Sequence, residues 1–182
     1  MTLQDLLAGA TARLEAAHLA YGHGTTNARD EAAWLVLWQL HLPLDGDLEE
    51  MAETPVSDED ALAVAELITR RIETRQPAAY LTHEAWLQGV PFYVDQRAIV
   101  PRSFIAELIA DGGFDAWLGE HTTRVLDLCT GNGSLAVLAA LAWPQVQVTG
   151  ADLSTDALAV ARINVDQHGL QDRITLIESD GL

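Results

Sequence analysis

The chain has 182 residues, of which 49% are hydrophobic and 20% are charged, so it can bury the core of one domain or of two small ones. Its formal net charge is −17, and all ten of its basic residues are arginines. Nucleic-acid surfaces need clustered cations, so this composition predicts no direct nucleic-acid binding. The charge is typical of a soluble protein, and docking onto a basic protein is the alternative interpretation.

The N-terminus carries no targeting signal. The first twenty residues lack a basic stretch followed by a continuous apolar run, and no apolar stretch of the chain reaches membrane-spanning length. A cytoplasmic protein without membrane contact is therefore expected. The single cysteine, Cys129, rules out an internal disulfide.

Residues 1–76 are predicted to form a helical domain. Apolar residues recur at helical spacing from Leu3 to Ala17 and again from Ala28 to His41. A third helix is expected to begin after Ser57, an N-cap residue with an acid in the capping-box position behind it. Residues 45–60 carry eight acids and no base, which favours a solvated loop over a contact surface for a basic partner.

Residues 77–101 are predicted to form a hairpin linker. Glycine and proline residues separate short extended runs in this segment. Val90–Val94 and Ala98–Val100 are expected to pair with each other around a turn at residues 95–96. Ser103 then caps a short helix.

From residue 124 onward, short apolar runs alternate with helical segments. The expected strands cover residues 125–128, 146–151 and 174–177, and the expected helices cover residues 134–142 and 155–168. Strands that are buried on both faces and alternate with helices predict an α/β fold with a parallel, doubly wound, Rossmann-like sheet. Three strands leave such a sheet incomplete. Residues 102–182 are therefore predicted to be the first part of a larger domain, whose third strand needs a neighbour.

The turn after the first of these strands carries the main functional signal. Gly131-Asn132-Gly133 fits the start of the G-x-G-x-x-A dinucleotide fingerprint, and Asp152 follows about twenty residues later, at the end of the second strand. Nicotinamide and S-adenosylmethionine domains share both features. In each of them small residues let the backbone approach the ligand, and the acid accepts hydrogen bonds from ribose hydroxyls. The turn alone leaves both cofactors open.

Asp127, just before the turn, favours the methyl donor. A carboxylate at this place repels a diphosphate, whereas it attracts the ammonium and sulfonium groups of S-adenosyl-L-methionine, which we therefore predict as the cofactor. In this interpretation Asp152 faces the ribose, and Asp180, at the end of the third strand, faces the adenine. The residues predicted to bind the cofactor are Asp127, Cys129, Thr130, Gly131, Asn132, Gly133, Asp152, Leu153 and Asp180.

Other candidate residues carry weaker signals. Arg102 begins the helix after the linker, and two interpretations stand level: a surface residue paired with Glu107, or a residue that faces the donor pocket. Cys129 has no histidine near it in sequence and is expected to be a packing residue, not a nucleophile. The six histidines show no metal-ligand spacing, so no metal site is predicted.

Three runs of sequence resemble the glutamine N5-methyltransferases that modify release factors and a ribosomal protein. These runs are residues 79–109, 127–133 and 154–164. The branch that methylates large-subunit ribosomal protein three is the more similar one. The release-factor branch has Gly in place of Cys129. It also has Pro-Asp-Thr-Glu after its Pro-Arg pair, whereas in this chain Pro101-Arg102 is followed by Ser103-Phe104-Ile105-Ala106.

The resemblance implies a domain organisation and a substrate. It implies a helical substrate-recognition domain at residues 1–76, a hairpin linker at 77–101 and a partial methyltransferase domain at 102–182. It also implies that Arg102 faces the donor pocket and that a large-subunit ribosomal protein is the substrate and partner.

The resemblance also exposes a missing motif. In the family, Asn-Pro-Pro-Tyr holds the substrate amide, but this chain contains no Asn-Pro and no Pro-Pro. No catalytic residue is therefore assigned, and the chain is expected to be truncated before the motif and inactive alone. Three alternatives stay open: a release-factor glutamine methyltransferase, a fragment of a nicotinamide-dependent oxidoreductase, and a non-catalytic binding module.

Overall fold

The structure is a computed structural model that describes residues 1–119 and 121–181. The chain forms two compact units, Met1–Thr82 and His83–Leu182. The boundary between them falls inside the segment predicted as a linker, and the division at residues 76 and 101 stays a prediction. Across the described residues, no helix is long and apolar enough to cross a membrane.

The first unit consists of helices. They are α1 (Leu3–Ala16), α2 (Ala28–Gln39), α3 (Asp58–Thr74) and the short α4 (Ala78–Thr82), which sequence analysis did not predict. Thr2, Asn27 and Ser57 precede the first three helices, and their side chains accept hydrogen bonds from backbone amides of the first turn. Such caps satisfy amide groups that have no partner inside the helix, so the predicted helix starts are confirmed.

The core of this unit holds a buried ion pair as well as aliphatic side chains. Arg71 of α3 donates from Nε to Glu31 of α2 over 2.7 Å, and the two side chains are 2% and 4% exposed. Thr25 donates its hydroxyl hydrogen to the other oxygen of Glu31 (3.0 Å), and Arg71 also donates to the Ala20 carbonyl (3.1 Å). Each charge is thus paired inside the core, as burial requires. The eight acids of residues 45–60 are all exposed.

The second unit begins with a hairpin that lies elsewhere than predicted. Strand β1 (Glu84–Leu87) pairs antiparallel with β2 (Val90–Tyr93), and Leu87 lies opposite Val90. The prediction that residues 90–94 pair with 98–100 is wrong. Asp95 instead closes a local turn, because its carboxylate accepts a hydrogen bond from the Arg97 amide at 3.0 Å.

The rest of the unit is an α/β sheet domain. Helix α5 (Phe104–Ala110) is followed by strand β3 (Arg124–Leu128), helix α6 (Ser134–Ala142), strand β4 (Gln147–Asp152), helix α7 (Thr155–Gln167) and strand β5 (Ile174–Glu178). The strands are parallel and lie in the order β3-β4-β5. The predicted α/β class with a parallel sheet is confirmed.

Burial differs from the prediction at the two outer strands. Only β4 is largely buried, whereas Leu126 and Leu128 of β3 are 48% and 42% exposed and Ile177 of β5 is 42% exposed. Sequence analysis expected all three strands to be buried on both faces, and this was wrong for β3 and β5. The physical reason is their position, because each has a strand neighbour on one side only.

Candidate functional site

The candidate site is the loop between β3 and α6, where the backbone is left-handed at three of five positions. The φ angles are +60° at Cys129, +56° at Gly131 and +79° at Gly133. A Cβ on Gly133 would lie 3.0 Å from the Cβ of Ala161 in α7, so this glycine lets the loop approach that helix. A Cβ on Gly131 would meet no described atom within 4 Å. The loop is therefore packed against the protein at Gly133 and open at Gly131.

Backbone hydrogen bonds hold this loop to the carboxyl end of β4. The Thr130 amide donates to the Ala151 carbonyl (2.9 Å), and the Gly133 amide donates to the Thr130 carbonyl (2.9 Å). Asp152, the last residue of β4, accepts a hydrogen bond from the Gly131 amide (2.8 Å) on one carboxylate oxygen. The loop shape thus depends on a side chain twenty-one positions away in sequence.

Asp152 supports a second element as well. Its other carboxylate oxygen accepts a hydrogen bond from the Ser154 amide (2.9 Å), and the Ser154 hydroxyl caps α7 by accepting from the Ala157 amide (3.1 Å). Each carboxylate oxygen has a second lone pair. The predicted role at a ribose therefore stays a prediction that is compatible with this bracing role, which sequence analysis missed.

Asp127 is the charged residue closest to the loop in sequence, and opposing effects act on the pKa of its carboxyl group. Its carboxylate accepts a short hydrogen bond from the Thr130 hydroxyl (2.6 Å). Burial raises the pKa of Asp127 above its ordinary value of 3.8, the nearby Asp152 carboxylate raises it further, and hydrogen bonds from Thr130 and the Ala136 amide partly oppose this rise. A carboxylate whose ionisation is costly gains from a cation placed beside it.

Asn132 has a buried side-chain nitrogen without a hydrogen-bond partner among the described residues. The residue is 3% exposed, and its side-chain oxygen accepts a hydrogen bond from the Ser134 amide (3.2 Å). Its side-chain nitrogen is buried and has no hydrogen-bond partner in the part of the chain that the structure describes. An orphan donor of this kind is unfavourable unless some acceptor meets it.

The remaining predicted residues lie outside this network of hydrogen bonds. The side chains of Cys129 and Asp180 are exposed, and Leu153 is 63% exposed, so the expectation that Cys129 is a packing residue was wrong. The Ser179 amide donates to the Asp152 carbonyl (3.0 Å), so the chain just before Asp180 is held at the end of β4. The structure therefore joins Asp127, Thr130, Gly131 and Asp152 directly, and reaches Asp180 only through its neighbour.

Arg102 is exposed in the structure. In the described part of the chain, neither an ion pair with Glu107 nor a hydrogen bond to the loop residues 129–133 involves its side chain. Of the two interpretations that stood level, the surface pair with Glu107 is therefore not observed among the described residues. Its role at the donor pocket stays a prediction.

Sequence analysis missed Asn164 of α7. This residue is fully buried, and its amide nitrogen donates to the Asn132 carbonyl (2.8 Å) and to the Tyr93 carbonyl of β2 (3.0 Å). A signal was present, because Asn164 continues the buried stripe of Ala157 and Ala161 at helical spacing. A polar residue on an apolar stripe indicates a buried hydrogen-bonding role.

A groove of about 390 Å³ borders the outer side of β3. Among the described residues that line it, Asp127 alone is charged and the others are apolar, including Leu126, Leu128 and Trp117. Of the predicted cofactor-binding residues, Asp127 alone lines this groove. This groove is therefore distinct from the cofactor site predicted from the sequence, which involves the loop at residues 129–133.

The chain is similar to known methyltransferases over nearly all of its length. Residues 120–181 match the model of a methyltransferase domain. The chain is 52% identical over 181 residues to ribosomal protein uL3 glutamine methyltransferase of Burkholderia pseudomallei, covering 98% of this chain and 58% of that protein. It is 53% identical over 177 residues to the protein of the same name from Bordetella pertussis, covering 96% of this chain and 59% of that protein. The chain thus spans about three fifths of the length of these relatives.

A solved structure of the N-terminal domain of human METTL16 in complex with SAH is a more distant neighbour. It is 14% identical to this chain, covers 75% of it and 50% of its own length, and has a TM-score of 0.41. A TM-score this low supports no conclusion about the site.

The match to a methyltransferase domain bears out S-adenosylmethionine as the cofactor class predicted from sequence. Coverage of 96–98% of the chain at 52–53% identity likewise confirms the predicted resemblance. The chain is homologous, over nearly all of its length, to the ribosomal protein uL3 glutamine methyltransferases.

Proposed function

We propose that this chain supplies the donor-binding part of an S-adenosylmethionine-dependent methyltransferase, whose acceptor is the side-chain amide of a glutamine in ribosomal protein uL3. The observation that carries the proposal is the placement of Asp127 directly before a loop that is open at Gly131. The names of relatives more than half identical to this chain give the reaction and the substrate.

The residues of the loop fit the chemistry of this donor. When bound, S-adenosylmethionine supplies an electrophilic methyl group, and its methionine end carries an ammonium. Asp127 offers a partly buried carboxylate, whose ionised form such a cation stabilises. The side-chain N–H group of Asn132 is buried and has no acceptor among the described residues. It is proposed to donate a hydrogen bond to the carboxylate at the methionine end of S-adenosylmethionine.

The other predicted residues extend this site. Asp152, which keeps a free lone pair on each carboxylate oxygen, is proposed to accept hydrogen bonds from ribose hydroxyls. Leu153 presents an exposed apolar surface next to it, and Asp180 is proposed to face the adenine edge. Because Asp152 also fixes the Gly131 amide, donor binding and loop shape are coupled through this residue.

The substrate side of the proposal rests on charge and on the relatives' names. Residues 45–60 of the first unit expose eight acids and carry no base. A surface of this sign attracts a basic protein at long range and repels nucleic acid. We propose the first unit as the part that recognises the ribosomal protein, through basic residues of that protein, and the cytoplasm as the place of the reaction.

The acceptor half of the reaction needs more than the donor site. An amide nitrogen is a poor nucleophile because its lone pair is delocalised, so it has to be oriented by fixed hydrogen bonds. The chain has neither Asn-Pro nor Pro-Pro, and thus lacks the family motif expected to provide them. The 182 residues are therefore proposed to bind the donor without completing the transfer.

Calorimetric titration of the purified chain with S-adenosylhomocysteine and, separately, with NAD tests the donor assignment. The expected result is saturable binding of S-adenosylhomocysteine and no heat of binding with NAD. Binding of NAD instead would support an oxidoreductase fragment. Binding of neither would support a non-catalytic module and contradict the proposal.

A further inference from the structure

Asn164 connects three separate segments of the second unit. It lies in the third turn of α7 between the apolar residues Ile163 and Val165, and its exposed fraction is 0%. Its side-chain oxygen accepts a hydrogen bond from the Tyr93 amide at 2.7 Å, and its nitrogen donates to the Tyr93 carbonyl at 3.0 Å. The same nitrogen donates to the Asn132 carbonyl at 2.8 Å.

These contacts use one amide group almost completely. A carboxamide has two N–H donors and an oxygen acceptor, and here both donors and the acceptor are engaged inside the protein. The paired contacts with Tyr93 reproduce the exchange of N–H and C=O bonds that a neighbouring strand would make with β2. The remaining donor reaches the carbonyl in the middle of the Gly131–Gly133 loop.

An aliphatic residue at this position would pack in the helix but would leave three backbone groups without partners. Those groups are the amide and carbonyl of Tyr93 and the carbonyl of Asn132, all next to a fully buried side chain. Buried groups of this kind are costly to leave unsatisfied. General stability of α7 therefore does not explain why the position is an asparagine.

The hairpin end of the connection is itself anchored. The Tyr93 ring stacks on His83 with ring centroids 5.3 Å apart and planes 9° apart, and its hydroxyl donates to the Asp95 carboxylate at 3.0 Å. Arg97 donates to both oxygens of Asp95. Tyr93 is thus a fixed point, and a side chain bonded to it can hold the loop in a defined place.

We propose that Asn164 is a positioning residue for the donor site, which sets the shape of the Gly131–Gly133 loop by tying the Asn132 carbonyl to β2. The proposed link makes the hairpin a support of the loop. The effect on donor affinity rests on the proposed function, whereas the effect on loop order does not.

Asn164→Asp tests the two hydrogen bonds that the side-chain nitrogen of Asn164 donates. The substitution keeps the shape and the oxygen that accepts from the Tyr93 amide, but it places a second oxygen against the carbonyls of Tyr93 and Asn132. Asn164→Ala, which buries no charge, serves as the second variant if the aspartate prevents folding. Val165→Ala, which removes volume from the buried neighbour without touching these bonds, is the matched control.

Amide hydrogen exchange gives the readout that does not depend on a cofactor. The amides of Thr130, Gly131 and Gly133 are hydrogen-bonded, and their exchange is to be compared with that of Val148, whose amide bonds in the sheet at 2.9 Å. Both Asn164 variants are expected to speed exchange in the loop relative to Val148 by about tenfold, the factor for one lost buried hydrogen bond. Val165→Ala is expected to leave that ratio unchanged.

Affinity for S-adenosylhomocysteine gives the second readout. The dissociation constant is expected to rise by about tenfold in both Asn164 variants, and not in the control. Loop exchange and affinity that match those of Val165→Ala would overturn the inference while leaving the proposed function intact. If the unmodified chain fails to bind the ligand, the proposed function fails, and the exchange ratio still decides the role of Asn164.

Discussion

Asp127 combines an electrostatic cost with a proposed function. Because burial raises its pKa above 3.8, the folded chain binds more protons than the unfolded chain between pH 3.8 and the raised value. The contribution of this group to stability is therefore greatest below that window and declines as the pH rises through it. When this carboxyl group ionises, the cost of its burial is compensated only in part, by hydrogen bonds from the Thr130 hydroxyl and the Ala136 amide.

Asp127→Asn separates stability from donor binding. At pH 7 and without ligand, we expect its free energy of unfolding to equal or exceed that of the unmodified chain, because the cost of ionisation is removed. Loss of a charged hydrogen-bond partner is expected to weaken S-adenosylhomocysteine binding by about tenfold or more. Urea unfolding and calorimetry measure the two effects.

The control for this prediction is Asp172→Asn, which removes the same charge from an exposed position. Its ligand affinity is expected to match that of the unmodified chain. The unmodified chain should also bind less tightly as the pH falls through the raised pKa of Asp127, whereas Asp127→Asn should lack this dependence. Equal affinity in both variants would contradict a pairing between Asp127 and the donor.

At the scale of single elements, local chemistry predicted the helices well and the hairpin poorly. The side chains of Ser57 and Ser103 cap helices as expected, because a cap is a contact between residues two or three positions apart. The hairpin turn instead consists of Gln88 and Gly89, both left-handed, with φ angles of +52° and +73°. Glutamine is not typical of a residue with positive φ, so the turn gave a weak signal.

The Glu31–Arg71 pair joins α2 to α3, and its strength is testable. Arg71→Met leaves a buried carboxylate without its partner, so we expect the free energy of unfolding of the first unit to fall by about 3–5 kcal/mol. The double variant with Glu31→Leu should recover part of this loss, because the buried charge is then absent. Urea unfolding, with hydrogen exchange of residues 28–39 as the probe of this unit, measures both.

Arg13→Met is the matched control for that experiment. Arg13 is exposed and donates to the Ala65 carbonyl and the Thr69 hydroxyl at 3.1 and 2.7 Å. Surface contacts of this kind contribute little, so a loss below about 1 kcal/mol is expected. A loss as large as that of Arg71→Met would show that burial is not the cause of the larger effect.

At the scale of the whole molecule, alternation of strand and helix predicted the parallel sheet, but not which strands are outermost. Sheet order depends on long-range pairing, which a local pattern does not encode. The same limit applies to the site. Asp127 and Asp152 follow from strand ends, whereas the connection from Asn164 to Asn132 spans 32 positions and is visible only in three dimensions.

The last prediction concerns the separation of cofactor binding from methyl transfer to the acceptor. Hydrogen bonds to β4 and α7 hold the loop at residues 129–133, so its shape does not require the acceptor motif. The 182-residue chain is therefore expected to bind S-adenosylhomocysteine while transferring no methyl group from S-adenosylmethionine to a glutamine peptide of uL3. Transfer of radiolabelled methyl groups measures this, with the longer Bordetella relative as the positive control. Transfer by the chain itself would mean that residues of this chain orient the substrate amide without any Asn-Pro-Pro-Tyr motif.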